Sequence, residues 1–599
     1  LAVAPALARP WWQVFVAAVL VAAFTAAVHW PALHARAIAI DDTEYLLDNP
    51  LVQNPSWNST WRFLTEVTNP SSVKGYYQPL TMISLMLDCR MGGGGDNLLA
   101  FHRTSLILHA ANAVGVLALM YLLFGNLWAA SAVGLLFGVH PMTVEPIPWI
   151  GERKTLLAAF FALGALIAYV QYARKGGWRR YLLVTVLYVL SVMSKPTSTL
   201  LPAALLVIDF WPLRRLGRRA LWEKAPLLVL TVLAAYITKV SQSAQLHADL
   251  RPLGESLLIL CHNIIFYPWK MLWPVNLTSH YRVPLLSLSE PMMLIGLIGT
   301  VVLVALLVIS LRWTRSLASG WLVWLVLILP AMNLIGFTEI LASDKYAYLP
   351  AVGLLMILAY ALARPWGAAP ARARALRAAV LAGVLALAGA ESVLTRQYLA
   401  HWQTTIGLYR YMHALTPESA MLNNNLGYYV TDEGIALTAQ AEDQKRHGNV
   451  AQASALAAQA REKYLEAQTM FERAIRNSNR YVDPYINYGR VLSCMGMLPQ
   501  ARRQFEIACQ MAPRNFVAIC DLGQLAGAMG DNKTALARFE QALEIKPDFA
   551  SAHAGLAEVL AAKGLYPEAI QHYQQALRTR PGDPQILARL QQLRARQGG

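Results

Sequence analysis

Charge is scarce in this chain: 14% of its 599 residues are Asp, Glu, Lys or Arg, while 56% are hydrophobic. Soluble globular chains carry roughly 25% charge. The shortage excludes a wholly water-soluble protein and puts much of the chain in lipid. Cysteine is nearly as rare. Cys89, Cys261, Cys494, Cys509 and Cys520 form no CxxC pair and no zinc spacing. They read as isolated core residues, not as a disulfide framework or a metal cluster. Acids are short relative to bases, 35 against 51, giving a net charge of +16. The imbalance is local: residues 1–400 hold 30 Lys and Arg against 17 Asp and Glu, leaving 21 (51 − 30) and 18 (35 − 17) for residues 401–599. The surplus therefore belongs to the apolar part, where cytoplasmic loops collect Lys and Arg, and no nucleic-acid partner is expected.

What is abundant is apolar stretches near the ~20 residues needed to cross a bilayer. They fall at 12–30, 100–123, 127–141, 155–173, 180–194, 197–211, 225–240, 291–311, 320–337, 348–363 and 377–394. The first has no small-residue cleavage site and reads as a retained helix. Segment 256–274 is also apolar, but Pro268, Trp269, Lys270, Trp273 and Pro274 interrupt it, and it is expected to be a re-entrant or interfacial helix. With about 11 spans and the N-terminus in the cytoplasm, the inner stretches are 174–180, 214–224, 312–315 and 364–377. They carry 15 Lys and Arg and the single acid Glu223. A twelfth span at 256–274 would break the positive-inside rule. Two long loops then face outward, 31–99 and 241–290. The first should carry interfacial helices, from Trp57, Trp61 and Phe63 and from Met82, Leu85 and Met86 at helical spacing.

Beyond residue 400 the pattern changes to a repeat. Pro513, Pro547 and Pro581 recur every 34 residues (547 − 513; 581 − 547), as do Gly496, Gly530 and Gly564, Ala501, Ala535 and Ala569, and Phe505, Phe539 and Tyr573. Gly489 and Gly523 share the period. This is the tetratricopeptide (TPR) signature: small residues where paired helices touch, an aromatic knob, and proline closing the unit. The units are a half repeat at 402–417, a repeat with an insertion at 420–479, and repeats at 482–513, 516–547 and 550–581. The expected fold is all-α: a polytopic membrane domain over 1–400, then a TPR α-solenoid over 401–599. Such stacks offer a concave groove to peptides or proteins.

Residues suited to chemistry gather in the outward loops. Asp41, Asp42 and Glu44 follow the first span; paired carboxylates at a membrane exit are costly. They suit proton transfer from a hydroxyl or, if a divalent metal is used, its coordination by Asp41 and Asp42. The loop His140–Lys154 packs Glu145, Glu152, Arg153 and Lys154 into fifteen residues, and later loops add Lys195, then Asp344, Lys345 and Tyr346. Lysines so placed suit a phosphate. His102 and His109, seven apart on one helical face, read as hydrogen-bonded histidines between helices.

In order along the chain stand Asp-Asp-x-x-Tyr after span one, His-x6-His-x2-Asn in span two, His-Pro-x3-Glu with Trp-x2-Glu-Arg-Lys, Ser194-Lys195-Pro196, Trp273-Pro274-Val275-Asn276-Leu277, Asp344-Lys345-Tyr346-x-Tyr348-Leu349-Pro350, and the TPRs. Over nearly its whole length the chain thereby resembles the transmembrane-and-TPR (TMTC) O-mannosyltransferases and their bacterial relatives, of the GT-C glycosyltransferase fold. It departs from them at Lys345, where relatives usually carry Arg, and in the Gly92–Gly95 run. The resemblance implies an inverting transfer from a polyprenyl-phosphate sugar to a Ser or Thr hydroxyl of an exported protein, on the outer face of a bacterial inner membrane. Asp41 or Asp42 would act as base, with Lys154, Lys195, Lys345, Arg153 and Arg282 toward the departing phosphate. Glu44, His102, Glu145, Glu152, Asp344 and Tyr346 would support them. The TPR domain would be periplasmic and would engage the acceptor protein. Two other readings stay open: a glycan or lipid acceptor, and a non-catalytic TPR scaffold on a degenerate membrane domain.

Overall fold

The computed structural model describes residues 10–68, 76–94, 97–242, 252–282, 286–332, 340–364, 370–478, 480–580 and 582–597. It divides into two units, 1–408 and 409–599, eight residues later than the expected boundary. Pro581 and parts of the loops at 31–99 and 241–290 lie outside the described residues.

In the first unit, the described residues include six helices long and apolar enough to cross a membrane: Trp11–His34, Leu99–Phe124, Ile150–Lys175, Arg218–Gln242, Pro291–Ser310 and Arg374–His401. The other expected spans correspond to shorter helices, Leu127–Val139, Trp178–Ser194, Leu201–Phe210, Ser316–Ile328 and Ala351–Ala363. At 1.5 Å per residue, a ten-residue helix such as Leu201–Phe210 is about 15 Å long. A core of alanine, leucine and aromatic side chains joins Leu99–Phe124, Leu127–Val139, Arg153–Lys175 and Ala351–Ala363. Small residues let the backbones approach: a Cβ on Gly134 would sit 3.0 Å from the Ala113 carbonyl oxygen.

Three expectations are sharpened. The helix expected over 256–274 is present as Leu253–Leu272, and Pro268 lies inside it without breaking it. Its Tyr267 hydroxyl both donates to the Ser343 carbonyl (3.2 Å) and accepts from the Ser343 N–H (3.1 Å). Asn263 donates to the Leu341 carbonyl at 3.1 Å. The helix thus buttresses the segment that leads to Lys345. Secondly, the unit is not purely helical. Tyr281–Arg282 and Ile340–Ala342 form a two-stranded antiparallel ribbon with Tyr281 opposite Ala342 and Arg282 opposite Ile340. Thirdly, the helices of 31–99 do not all lie on a surface. Phe63, Met82, Leu85 and Met86 pack with Tyr45, Leu46, Val52, Phe101 and Ile150 in a core of their own, while Trp57 and Trp61 are exposed.

The second unit is a stack of antiparallel helix pairs. The first pair is long, Ala420–Arg446 and Val450–Asn477, and carries the extra residues of the insertion. Three ordinary pairs follow, Asp483–Cys494 with Leu498–Met511, Phe516–Ala528 with Asn532–Ile545, and Ala550–Ala562 with Tyr566–Thr579. Gly496, Gly530 and Gly564 turn each pair with φ of 75°, 81° and 78°, a left-handed conformation that favours glycine. Gly489 leaves room for the Phe505 ring, which would lie 2.5 Å from any Cβ placed there.

Candidate functional site

At one end of the membrane unit, four loops far apart in sequence come together. Asp41 and Asp42 end an irregular stretch after the first helix. This stretch is tied to the segment after the last helix by Arg36 N–H to the Gln403 carbonyl (3.0 Å) and Ala39 N–H to the Thr405 hydroxyl (3.0 Å). Asp42 is buried, and its two carboxylate oxygens accept the N–H groups of Ile38 (2.7 Å) and Gly151 (2.6 Å). Burial, and then the adjacent Asp41 carboxylate, push Asp42 up to about 8 against those bonds. Asp41 is the more open of the two, its side chain 23% exposed, and it pairs with Lys154 at 3.2 Å. The Trp149 indole N–H donates to its other oxygen. Any Cβ on Gly151 would collide with the Asp41 carboxylate, so glycine is required where the two loops meet.

Beside the acidic pair, three lysines converge on Glu152. Lys154 and Lys345 approach Oε1 at 3.3 and 3.0 Å, and Lys195 approaches Oε2 at 3.0 Å. Lys154 also donates to the Tyr45 hydroxyl at 3.1 Å, and Lys195 to the Thr155 hydroxyl at 2.7 Å. Lys345 lies 3.9 Å over the Trp149 ring. That ring stacks on Trp402, with centroids 5.8 Å apart. Burial opposes the charge on Lys345, but Glu152, Tyr346 and Glu145 together outweigh it and hold the ammonium above its ordinary range. For Lys195, burial and the other two lysines win over Glu152 and bring it down to about 8.

Around this centre other polar groups hold loops in place. Glu145 is buried and accepts from the Lys345 N–H (3.1 Å) and the Tyr398 hydroxyl (3.2 Å); burial pushes it up to about 7, against the pull of Lys345. Asp344 accepts from the Tyr281 hydroxyl at 3.0 Å, and burial followed by Glu145 hold it well above the usual carboxylate range. Tyr346 flanks the lysines, its ring 5.8 Å from both Lys195 and Lys345. His102 donates to the Ala35 carbonyl at 2.9 Å and so fixes the approach to Asp41. His109 sits deeper, accepting from the Tyr348 hydroxyl at 2.7 Å.

Other residues singled out from sequence lie apart. Arg153 is buried and points about 100° around its helix from Lys154. It spends its guanidinium on Asp88 (2.8 Å), Ser84 (3.0 Å), Ser105 (2.9 Å) and the Phe101 carbonyl (2.5 Å). It braces three helices and, fully buried with four of its five N–H groups engaged, is not presented to a phosphate. Arg282 lies on the ribbon opposite Ile340, and Glu44 is exposed. Trp149, Gly151, Thr155, Tyr45 and His280 were not singled out from sequence, although Tyr45 and Trp149 stand inside the quoted motifs. His280 is pushed down to about 3 by burial and then by Lys345. Among the described residues, no three His, Cys, Asp or Glu side chains are grouped to hold a metal. Asp41 and Asp42 would be two ligands at most.

Comparison with known proteins adds an independent line. Residues 520–584 match the tetratricopeptide repeat family. The chain is 23% identical to a Caenorhabditis elegans protein O-mannosyl-transferase over 67% of its own length and 58% of that protein's. It is 21% identical to the protein O-mannosyl-transferase TMTC4 of Mus musculus over 72% of its length and 66% of that protein's. The matches thus span about three fifths to two thirds of those curated relatives. A solved thermophilic TPR protein of Thermus thermophilus is 18% identical, covering 32% of this chain and 88% of that one, with a TM-score of 0.24. At the level of family, the chain resembles the TMTC protein O-mannosyl-transferases and carries a tetratricopeptide repeat domain.

Proposed function

We propose that the protein is a membrane glycosyltransferase that moves a sugar from a polyprenyl-phosphate donor to a Ser or Thr hydroxyl of an exported protein, with inversion. The observation that carries this reading is the meeting of an accessible carboxylate, Asp41, with three lysines around Glu152. Transfer from a sugar phosphodiester needs both partners. Asp41 takes the acceptor proton as the hydroxyl oxygen attacks the anomeric carbon, and the bond to the phosphate oxygen breaks. The lysines receive the charge that develops on the departing phosphate. Asp42, its oxygens committed to backbone N–H groups, positions the Gly151 loop against Asp41. Should a divalent metal take part, Asp41 is the accessible ligand.

The arrangement also supports the proposed topology. Lys195 and Lys345 reach the same carboxylate, so the chain between them must cross the membrane an even number of times. The stretches 197–211, 225–240, 291–311 and 320–337 supply four crossings. Leu253–Leu272 is then not a fifth, consistent with about 11 spans, a cytoplasmic N-terminus and a site on the outer face of a bacterial inner membrane. The TPR domain favours a polypeptide acceptor over a glycan or lipid. The test is transfer by the purified protein from a prenyl-phosphate mannose to acceptor peptides. Asp41→Asn should lower the rate roughly 100-fold or more; activity that survives both Asp41→Asn and Asp42→Asn overturns the assignment.

A further inference from the structure

Glu152 takes no part in the transfer just described, yet no side chain of the site is more engaged. It is 2% exposed, accepts the Thr155 hydroxyl at 2.5 Å, and is the shared partner of Lys154, Lys195 and Lys345 at 3.0–3.3 Å. The three lysines come from separate places: the start of helix Arg153–Lys175, the turn after Trp178–Ser194, and the turn Asp344–Ala347. We propose that Glu152 is the resident anion of the donor-phosphate pocket. It keeps the three ammoniums charged and converged while the pocket is empty, so that phosphate binds without recruiting a proton. This rests on the reading of the lysines as a phosphate site.

Ammoniums gathered around one point repel, and the simplest relief is for one of them to lose its proton. Lys195 is the one placed to do so. Lys154, Glu152 and Thr155 face it from one helix, Lys345 and Tyr346 from the turn Asp344–Ala347, with Asp41 and Tyr45 behind Lys154. Glu152 is the one carboxylate among the described residues that pairs with it, and even so Lys195 is brought down to about 8. The charges also match the reaction. Three lysines against Glu152 and Asp41 leave one positive charge for a phosphodiester. Once Asp41 has taken the acceptor proton, two remain for the phosphate monoester, whose charge approaches −2 near neutral pH. Without Glu152 the pocket would shed a proton when empty and have to regain it on binding.

Farnesyl phosphate, a short prenyl monophosphate, is a suitable probe for titration calorimetry on the full-length protein in detergent between pH 7 and 9. There the phosphate is already mostly a dianion, so the pH dependence reports the protein. Wild-type affinity should hold level to about pH 8 and then weaken. In Glu152→Gln the weakening should begin at least one pH unit lower. Because a group that must be protonated for binding costs about tenfold per unit above its pKa, and the wild type is itself half deprotonated there, affinity at pH 8 should fall roughly fivefold or more. Heats in buffers of different ionisation enthalpy should show about half a proton more taken up than in wild type. Glu152→Asp should restore the later onset. Superimposable profiles for wild type and Glu152→Gln overturn the proposal. A wild type that binds no farnesyl phosphate overturns the phosphate site itself, and this inference with it. If Glu152→Gln does not fold, Lys195→Met decides: the weakening above pH 8 should vanish, and its persistence overturns the proposal.

Discussion

The membrane unit holds two buried clusters of charge, and they are built on different principles. Near one end of helix Arg153–Lys175 are Glu152 and its three lysines; near the other end, Lys224 and Asp209 pair closely beneath Tyr169 and are both fully buried. Arg215 joins that second cluster through Asp209 (3.2 Å) and Glu223, and Glu223 also takes the exposed Arg219 at 3.4 Å, while Lys224 and Asp209 at its heart balance one to one. The first cluster has three cations for Asp41 and Glu152, and each lysine keeps 12% of its side chain exposed. The Lys224–Asp209 pair, balanced and fully buried, has nothing to offer a ligand and serves as a strut, costly to break and neutral in charge. An unbalanced cluster with a route to solvent is poised for an anion.

That contrast can be broken experimentally, and the largest effect falls on the strut. Lys224→Met should cost about 3–5 kcal/mol of stability, the usual penalty for orphaning a buried partner, seen as a lowered melting temperature. Transfer per folded molecule should stay unchanged; lost activity in protein that melts like wild type would erase the distinction. Lys345→Met should do the reverse. Its melting temperature should hold, while kcat/KM for the donor falls roughly 10- to 100-fold, the range expected for losing a charged contact of 1.5–3 kcal/mol.

A smaller effect concerns pH. Glu145 is raised to about 7 from an ordinary value of 4.5, chiefly by burial. A raised carboxyl contributes stability that is complete below its unfolded pKa and is lost as pH rises through the folded one. Wild type should therefore melt a few degrees lower at pH 8 than at pH 5, and Glu145→Gln should reduce that difference, the rest belonging to the raised carboxyls of Asp42 and Asp344. The smallest effect is expected at Glu44, which is exposed. Glu44→Gln should leave stability within about 0.5 kcal/mol and transfer within about twofold; a large loss would extend the site beyond the cluster.

How legible this was in the sequence depended on whether a residue's partner left a local mark. Asp41, Lys154, Lys195 and Lys345 stood in short polar runs at the ends of apolar stretches, where charge is conspicuous. Arg153 stood in the same run as Lys154 and read as its twin. Consecutive helical residues point about 100° apart, and the partner that claims Arg153 is Asp88, 65 residues earlier. No local pattern links those two. Gly151 carried no signal either, because its role is to be without a side chain where Asp41 passes. The TPR period was fully visible, since each repeat copies the same contact, as Gly489 on Phe505 and Gly523 on Phe539. Pro268 misleads in the sequence, where proline marks an interruption, because helix Leu253–Leu272 runs through it.

The decisive property of the cluster at Asp41 is transfer of a sugar to exported protein. Intact masses of exported proteins from cells carrying wild type or Asp41→Asn test this most directly. One or more proteins should lose the mass of whole sugar residues in the Asp41→Asn strain, with Lys224→Met losing it only in proportion to the protein that fails to fold. Identical masses in wild type and Asp41→Asn would contradict this assignment.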